Sequence, residues 1–291
     1  MKCAYLFSGQ PIFYQTTLDY FSNYQVEQND RVCSHIWWDK SYNGKMYKLW
    51  FTDTFNGENL DKEFIEKYNV TDYIVEPHKE FDITFFKKFN FDVWKDESIE
   101  HYKVITPIVL YGLLSQTYSN YQSLLKIKEH DVDVVIKTRP DIILTKPLKT
   151  ILSQIPLEDN TLYFQSSMGG GHLYAGEFPN NPCDWFFLGK TESMEKFLSG
   201  WYNFIPTSYQ NGVIHVRDHC IDVCSKQNLN INLVDFGAII YKQATDWYEK
   251  YKIDSKFYIT HFDYESCKPL EINMWPNWVE HVNFEHFKNM N

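Results

Sequence analysis

The sequence predicts an α/β protein in which a mixed, mainly parallel sheet is flanked by helices within a single domain. Three observations carry that reading. The first half alternates strand and helix signals, β-α-β-α-β-α-β, an order that implies right-handed crossovers and parallel neighbours. Its strand candidates are short, β-branched apolar runs of the kind that parallel sheets bury on both faces. No internal repeat or low-complexity linker interrupts the 291 residues, of which 44% are hydrophobic and 18% aromatic, enough for a large core.

Cys3 to Phe7 reads as the first strand. Ser8-Gly9-Gln10-Pro11 turns the chain, and Phe13 to Tyr24 has amphipathic helical spacing. Val32 to Trp38 is the second strand, closed by Asp39, with a turn at Asn43-Gly44. Leu60 to Tyr68 reads as a helix and Tyr73 to Val75 as a third strand, stopped by Pro77. Residues 78–97 are rich in Phe and Lys and show no period. A long helical pattern then runs from Ile99 to Lys128, with Pro107 expected near a helix start. Val134, Val135 and Ile136 give the clearest buried-strand signal. Thr138-Arg139-Pro140-Asp141 stops it, because Pro140 lacks a backbone donor and restricts Arg139 to extended geometry. Ile142, Ile143 and Leu144 resume the apolar run. Further strands are expected at Leu162 to Gln165, Trp185 to Leu188, Ile231 to Val234 and Ala238 to Tyr241, and helices at Ser193 to Phe204 and Val213 to Lys226. Residues 1–243 are expected to form the domain, and 244–291 an aromatic-rich C-terminal extension packed on it.

The formal net charge of −10 argues against a broad nucleic-acid or anionic-membrane surface, which needs a basic field. A nucleotide needs only a few local cations. Cys3, Cys33, Cys183, Cys220, Cys224 and Cys267 show neither zinc-finger nor Cys-x-x-Cys spacing, so reduced, mostly buried thiols are expected. The N-terminal apolar run is too short for a signal peptide, and no stretch approaches the roughly 18 apolar residues of a membrane span. A cytoplasmic protein is the expectation. The 22 Phe, 21 Tyr and 9 Trp are mostly core by this reading, although Trp and Tyr also suit stacking on sugars.

Candidate chemistry sits at strand ends, where open α/β sheets bind ligands. Arg139 and Asp141 hold a cation and a carboxylate two residues apart. The Arg fork suits phosphate, and Asp141 suits a sugar hydroxyl or a divalent metal; the alternative is a surface turn closed by a local ion pair. Ser8-Gly9-Gln10 follows the first strand directly: Gly9 permits close backbone approach, and Gln10 offers donor and acceptor. No phosphate-loop or dinucleotide glycine motif is present at a strand–helix junction. Trp37 and Asp39 close the second strand. Gly169-Gly170-Gly171 makes a loop or lid with His172 beside it, suited to a phosphate or sugar hydroxyl. Asp184 heads the Trp185–Leu188 run, where a carboxylate suits a general base and Trp185 a sugar face. His215, Asp218, His219 and Asp222 share helical spacing, but with no Glu beside the first His a solvated helix face is expected rather than a metal site.

A strand ending in Ser-Gly-Gln, a second ending in His-Ile-Trp-Trp-Asp, a long helix, then Val-Val-Ile-Lys-Thr-Arg-Pro-Asp-Ile and Asp-Trp-Phe-Phe-Leu-Gly-Lys occur in this order over residues 1–235. In this the chain resembles a family of GT-A-like glycosyltransferases encoded in bacterial surface-polysaccharide clusters and by large DNA viruses of algae, the chloroviruses. The resemblance implies a GT-A-like, Rossmann-type sheet with a nucleotide-sugar, UDP-sugar favoured, at its carboxyl end. It implies transfer of the sugar to a glycan or glycoprotein hydroxyl, in host cytoplasm if viral, with Ser8, Gly9, Gln10, Arg139, Asp141 and His172 on the donor and Asp184 and Asp141 in catalysis. In that fold an Asp-x-Asp pair holds Mn²⁺ or Mg²⁺. Here Asp141 matches the second acid and Arg139 occupies the first position, so either Arg139 neutralises the diphosphate or Asp141 holds the metal alone. The alternatives are a non-catalytic carbohydrate-binding protein on the same scaffold and a nucleotidyltransferase.

Overall fold

The sheet is built outward from β1 (Cys3–Gly9), whose apolar residues alternate between two cores. A computed structural model describes residues 1–11, 14–43, 57–79, 81, 99–166, 182–210, 216–240, 262–263 and 268–269. The strands are β2 (Arg31–Trp37), β3 (Asp72–Glu76), β4 (Val134–Thr138), β5 (Ile142–Leu144), β6 (Thr161–Ser166), β7 (Pro182–Lys190), β8 (Asn230–Val234), β9 (Ala238–Ile240), β10 (Phe262–Asp263) and β11 (Lys268–Pro269). The helices are α1 (Tyr14–Thr17), α2 (Leu60–Lys67), α3 (Ile99–Ile127), α4 (Leu148–Leu152), α5 (Thr191–Asn203), α6 (Ile205–Gln210) and α7 (Val216–Lys226). Two 3-10 helices, Leu18–Tyr24 and Lys40–Tyr42, complete the set.

Seven strands form one mixed sheet in the order β3-β2-β1-β4-β7-β6-β8. Strands β3, β2, β1 and β4 are mutually parallel, β7 runs antiparallel between β4 and β6, and β8 is parallel to β6. The expected mixed, mainly parallel sheet with flanking helices is therefore present. Because β7 alone is reversed, one edge collects the carboxyl ends of six strands and the amino end of β7. The run Ile142–Leu144, which resumes after the Pro140 turn, leaves the main sheet and pairs with β9 instead.

Strand alternation assigns the two cores. Tyr5, Phe7, Val134, Ile136, Tyr163 and Leu188 face the 3-10 helix Leu18–Tyr24, α2 and α4. Ala4, Leu6, Val135, Phe164 and Phe187 face α3, α5 and α7 through Leu113, Leu124, Phe197 and Trp201. Much of the aromatic excess is absorbed here. Phe7, Phe21, Tyr24, Phe64 and Tyr68 interlock with ring centroids 4.6 to 6.2 Å apart, mostly tilted or edge-on. Burying each such ring contributes about 1.5–3 kcal/mol.

The expected helix over Phe13 to Tyr24 is instead a single α-turn followed by a 3-10 helix. Thr17 accounts for the change: its hydroxyl bonds back to the Tyr14 carbonyl at 3.3 Å and forward to the Pro140 carbonyl at 2.6 Å, competing with the α ladder. The long helix runs through Pro107 rather than starting near it. Helices α4 and α6 add to those expected. Of residues 244–291, only the β10–β11 ladder lies within the described residues. Among the described residues no helix is long and apolar enough to cross a membrane. Five cysteines, Cys3, Cys33, Cys183, Cys220 and Cys224, are free and buried, as expected, and Cys267 lies outside the described residues. Burial pushes the Cys3 thiol up to about 11 and Cys33 to about 12, so both stay protonated and inert.

Asp30 secures the opposite edge of the sheet. Its buried carboxylate accepts from the Cys3 and Glu27 amides, both at 2.8 Å, and lies 2.8 Å from the Lys149 ammonium. Asp30→Ala would leave two amides near the start of β1 without their acceptor and the Lys149 ammonium with Glu27 as its remaining partner. It should lower folding stability by about 2–4 kcal/mol in urea titrations, whereas a change below about 0.5 kcal/mol would show that the carboxylate anchors nothing.

Candidate functional site

The carboxyl edge of the sheet brings Ser8-Gly9-Gln10, Arg139, Asp141 and Asp184 together, because β1 and β4 are parallel neighbours and β7 begins beside the end of β4. Of the remaining expected residues, His172 and the Gly169–Gly171 loop lie outside the described residues. Gly9 has φ +122°, which L side chains rarely adopt, and open space where a Cβ would project. The backbone itself therefore selects glycine at this turn. Gln10 is half-buried beside it.

A polar stripe on α3 ties the two sides of this edge. Ser8 Oγ donates to Asn120 Oδ1 at 2.5 Å, and Asn120 Nδ2 to the Gln116 carbonyl at 2.9 Å. Gln116 Nε2 donates to Asp184 Oδ2 at 2.9 Å and to the Asp184 carbonyl at 3.3 Å. Asp184 faces α3 because β7 shifts register opposite Phe164 and Ser166, which turns both Trp185 and Phe186 into the other core. Lys137 completes the contact: its ammonium donates to the Asp184 carbonyl at 2.8 Å and lies 5.6 Å from the Phe187 ring centroid. Lys137 is 0% exposed, and burial lowers its pKa to about 7. Trp185, expected to offer a sugar face, is 3% exposed and packs in the core. Trp37, Trp38 and Trp201 are buried too.

The Thr138–Asp141 turn is closed by its own charges. Arg139 Nε donates to Asp141 Oδ1 at 2.9 Å and Nη2 to Oδ2 at 2.5 Å, a two-pronged pairing. Asp141 is only 1% exposed, while the Arg139 side chain keeps 27%. Burial opposes the Arg139 charge, but the Asp141 carboxylate outweighs it and raises the guanidinium pKa. Below the turn, Tyr24 OH lies 2.9 Å from Thr138 Oγ1, and Tyr68 OH 2.7 Å from Thr17 Oγ1. Both phenols are raised by burial and, further, by the Asp141 charge.

A divalent cation needs several oxygen ligands with free lone pairs. Among the described residues no three His, Cys, Asp or Glu side chains converge as a metal-binding group. Asp141, the expected ligand, has each oxygen engaged by Arg139. The described donors do not fit a metal at this turn.

A second cluster lies at the ends of β2 and β3. His35 is buried with both ring nitrogens bonded, to Ser119 Oγ and Glu76 Oε1, each at 2.8 Å. Trp37 stacks on Tyr118 at 5.5 Å and tilts against His78 at 5.0 Å. Asp39 accepts from the Ser41 amide at 2.8 Å and starts the 3-10 helix Lys40–Tyr42. The α7 face expected to be solvated is split. Asp218 is exposed, but His219 turns against α5 and is buried, its Nε2 2.7 Å from the Trp201 carbonyl. Asp222 pairs with Lys226 at 2.6 Å, and His215 lies outside the described residues.

Sequence reasoning missed Lys137, Gln116, Asn120 and the His35–Glu76 pair. Lys137 had a signal: a lysine inside a strand buried on both faces requires a partner. The α3 stripe Gln116, Thr117, Ser119, Asn120 and Ser123 was another, since polar residues at helical spacing otherwise read as a solvated face.

No protein-family model matches the chain, and no curated protein matches it. Among solved structures, the chain is similar to the galactosyltransferase LgtC in complex with donor and acceptor sugar analogs. The identity is 12% and the TM-score 0.40, covering 80% of this chain and 73% of that one. It is also similar to the glycosyltransferase GlyE of Streptococcus pneumoniae TIGR4, with 9% identity and a TM-score of 0.44, covering 92% of this chain and 66% of that one.

Two predictions follow from the charges. Removing Asp141 alone leaves the Arg139 cation unpaired, so Asp141→Asn should destabilise by about 2–4 kcal/mol. Arg139→Met with Asp141→Leu should cost less than the two single changes summed. Additive losses in the double-mutant cycle would show that the pair is not coupled. For the histidines, burial lowers the pKa of His35 and His219 despite the raising effects of Glu76 and of the Trp201 carbonyl. Both are neutral when folded and bind a proton on unfolding. Stability should hold above the unfolded value near about pH 6.5, then fall as pH drops toward the lower folded values, by up to about 1.4 kcal/mol per pH unit for each histidine. Urea midpoints measured across this window should show the fall in wild type and a shallower one in His219→Gln.

Proposed function

We propose that this chain is a GT-A-like glycosyltransferase that moves a sugar from a nucleotide-sugar, UDP-sugar favoured, to a hydroxyl of a glycan or glycoprotein. The observation that carries this reading is the hydrogen-bonded link from Ser8 through Asn120 and Gln116 to Asp184 across one sheet edge. It joins a glycine-turned loop, suited to a nucleotide, to a carboxylate suited to an acceptor. Ser8, Gly9 and Gln10 line the nucleotide side by this reading. Arg139 follows Thr138, the partner of Phe7, as Ser8 follows Phe7, and by this reading presents its partly exposed guanidinium to the diphosphate. Asp141 holds that guanidinium in place.

The chemistry then requires one proton transfer and one displacement. Asp184 accepts the acceptor hydroxyl proton while that oxygen bonds to the anomeric carbon. The bond from that carbon to the diphosphate oxygen breaks, and the nucleoside diphosphate leaves with the electron pair. Its growing charge must be met by fixed positive groups. Gln116 orients the Asp184 carboxylate through Oδ2, leaving Oδ1 for the proton.

Calorimetry with UDP and GDP, together with donor-hydrolysis assays over a panel of nucleotide-sugars, tests the reading. One nucleotide should bind, and Asp184→Asn should lower turnover by about 10²-fold or more while the variant stays folded and keeps nucleotide affinity. Failure of both nucleotides to bind at millimolar concentration would reject the donor site. Near-normal turnover in the Asn variant would reject the base.

A further inference from the structure

Lys137 is a charged side chain in the centre of the sheet, and nothing in the reaction outlined above uses it. It sits on the α3 face of β4, in register with Leu6 of β1 and Phe187 of β7. Ser8, two residues beyond Leu6, shares that face, so Lys137 lies directly beneath the loop read as the nucleotide side. The ammonium has three donors. Among the described residues its single hydrogen bond goes to a neutral acceptor, the Asp184 carbonyl at 2.8 Å.

The charged and titratable groups around it are few. Arg139 and Asp141 of its own turn are paired with each other in a two-pronged bridge. Asp184 of β7 directs its carboxylate to Gln116. Cys220 of α7 is a buried thiol held protonated by desolvation. Arg139 is thus already neutralised at short range by Asp141, and Lys137 is the cation with uncommitted capacity. A fully buried ammonium next to a neutral carbonyl is costly unless a further negative charge accompanies it in the working state.

We propose that Lys137 is the cation that answers an anionic ligand at this sheet edge, a nucleoside diphosphate, acting through its charge from beneath the Ser8–Gln10 loop and behind Asp184. This rests on the donor-site reading. It makes Lys137 a positioning and electrostatic residue with no need to touch the ligand. Its pKa of about 7 makes the ammonium only partly protonated near neutral pH, and an arriving diphosphate draws a proton onto it from the solvent. Binding of the nucleotide and protonation of Lys137 then favour each other.

The test is titration calorimetry of UDP and GDP with the full-length wild type, Lys137→Met and Lys137→Arg, each checked for folding by its thermal melt. Measurements run between about pH 7.5 and 9, where the diphosphate itself no longer titrates, in two buffers of different ionisation heat. Wild-type affinity should weaken as pH rises, with net proton uptake on binding. Lys137→Met should bind at least about tenfold more weakly and take up no proton. Lys137→Arg should keep its affinity and lose the pH slope, because a guanidinium stays charged. Lys137→Met binding with wild-type affinity, or a wild type that takes up no proton, would overturn the inference and leave the donor site standing. The proton measurement on wild type decides the matter even if Lys137→Met does not fold. A wild type that binds neither nucleotide would overturn the donor-site reading itself, and the role of Lys137 with it.

Discussion

A strand buried on both faces cannot end in free charge, and β4 ends in Lys-Thr-Arg-Pro-Asp. Most of what is distinctive at the carboxyl edge follows from how the chain meets that constraint. Pro140 turns the backbone, which lets Arg139 fold onto Asp141 with both prongs. Thr17, Tyr24 and Tyr68 then satisfy the oxygens beneath the turn. The pair neutralises a carboxylate that is otherwise entombed, and the chain is released at the angle needed to pair β5 with β9. Charge compensation at one turn thus fixes both the exit of the central strand and the second small sheet.

The other side of β4 meets the same constraint differently. Lys137 has no carboxylate oxygen bonded to it. Its ammonium is held by the chain entering β7, and that chain is held in turn by Gln116. The polar face of α3 is the consequence. A helix packed against a sheet ordinarily presents Leu and Val, whereas here Thr117, Ser119, Asn120 and Ser123 are fully buried. Each has an acceptor within reach: the Leu113 carbonyl for Thr117, the His35 carbonyl for Ser119, the Gln116 carbonyl for Asn120 and the Ser119 carbonyl for Ser123. Buried polar networks of this kind lose stability relative to an apolar core, and they define a unique arrangement of the groups they join.

How much of this was legible in the sequence depended on range. Strand existence and order came from local runs such as Val134–Ile136 and Cys3–Phe7, because the period and the β-branched content are carried within a few residues. The convergence of Ser8 and Arg139 was legible through the parallel topology, whereas Asp184, near the start of its strand, joins them only because β7 runs antiparallel. Side-chain fate was not. Asp141 reads as a ligand contact from its strand-end position, yet the short reach to Arg139 and the aromatic floor of Tyr24 and Tyr68 bury it. Trp185 reads as a sugar platform, yet a register shift in β7 turns it inward. His219 reads as solvated from its neighbours Asp218 and Asp222, yet α5 covers it. For Trp185 and His219 the deciding contact is with a residue far away in sequence, which no local pattern encodes; for Asp141 the Arg139 partner is local, and only the aromatic floor beneath it is distant.

The arrangement also bears on how an edge of this kind balances charge. Two adjacent carboxylates at a strand end repel one another and become stable together when a dication joins them. Arg139 beside Asp141 follows a different logic, because the carboxylate is satisfied within the chain and the turn is electrically closed by its own pair. On the proposed donor-site reading, a diphosphate approaching such a turn meets a guanidinium already paired, and a cation that the pair does not cancel adds to the attraction. In an acidic chain of net charge −10 that cation has to be local. Burial strengthens its reach, since a charge in a medium of low effective dielectric acts several-fold more strongly over the same distance than one in water. The same burial drives the pKa of that cation toward neutrality. Strength of attraction and sensitivity to pH are then two results of one placement, a lysine set at the centre of the sheet rather than on its rim.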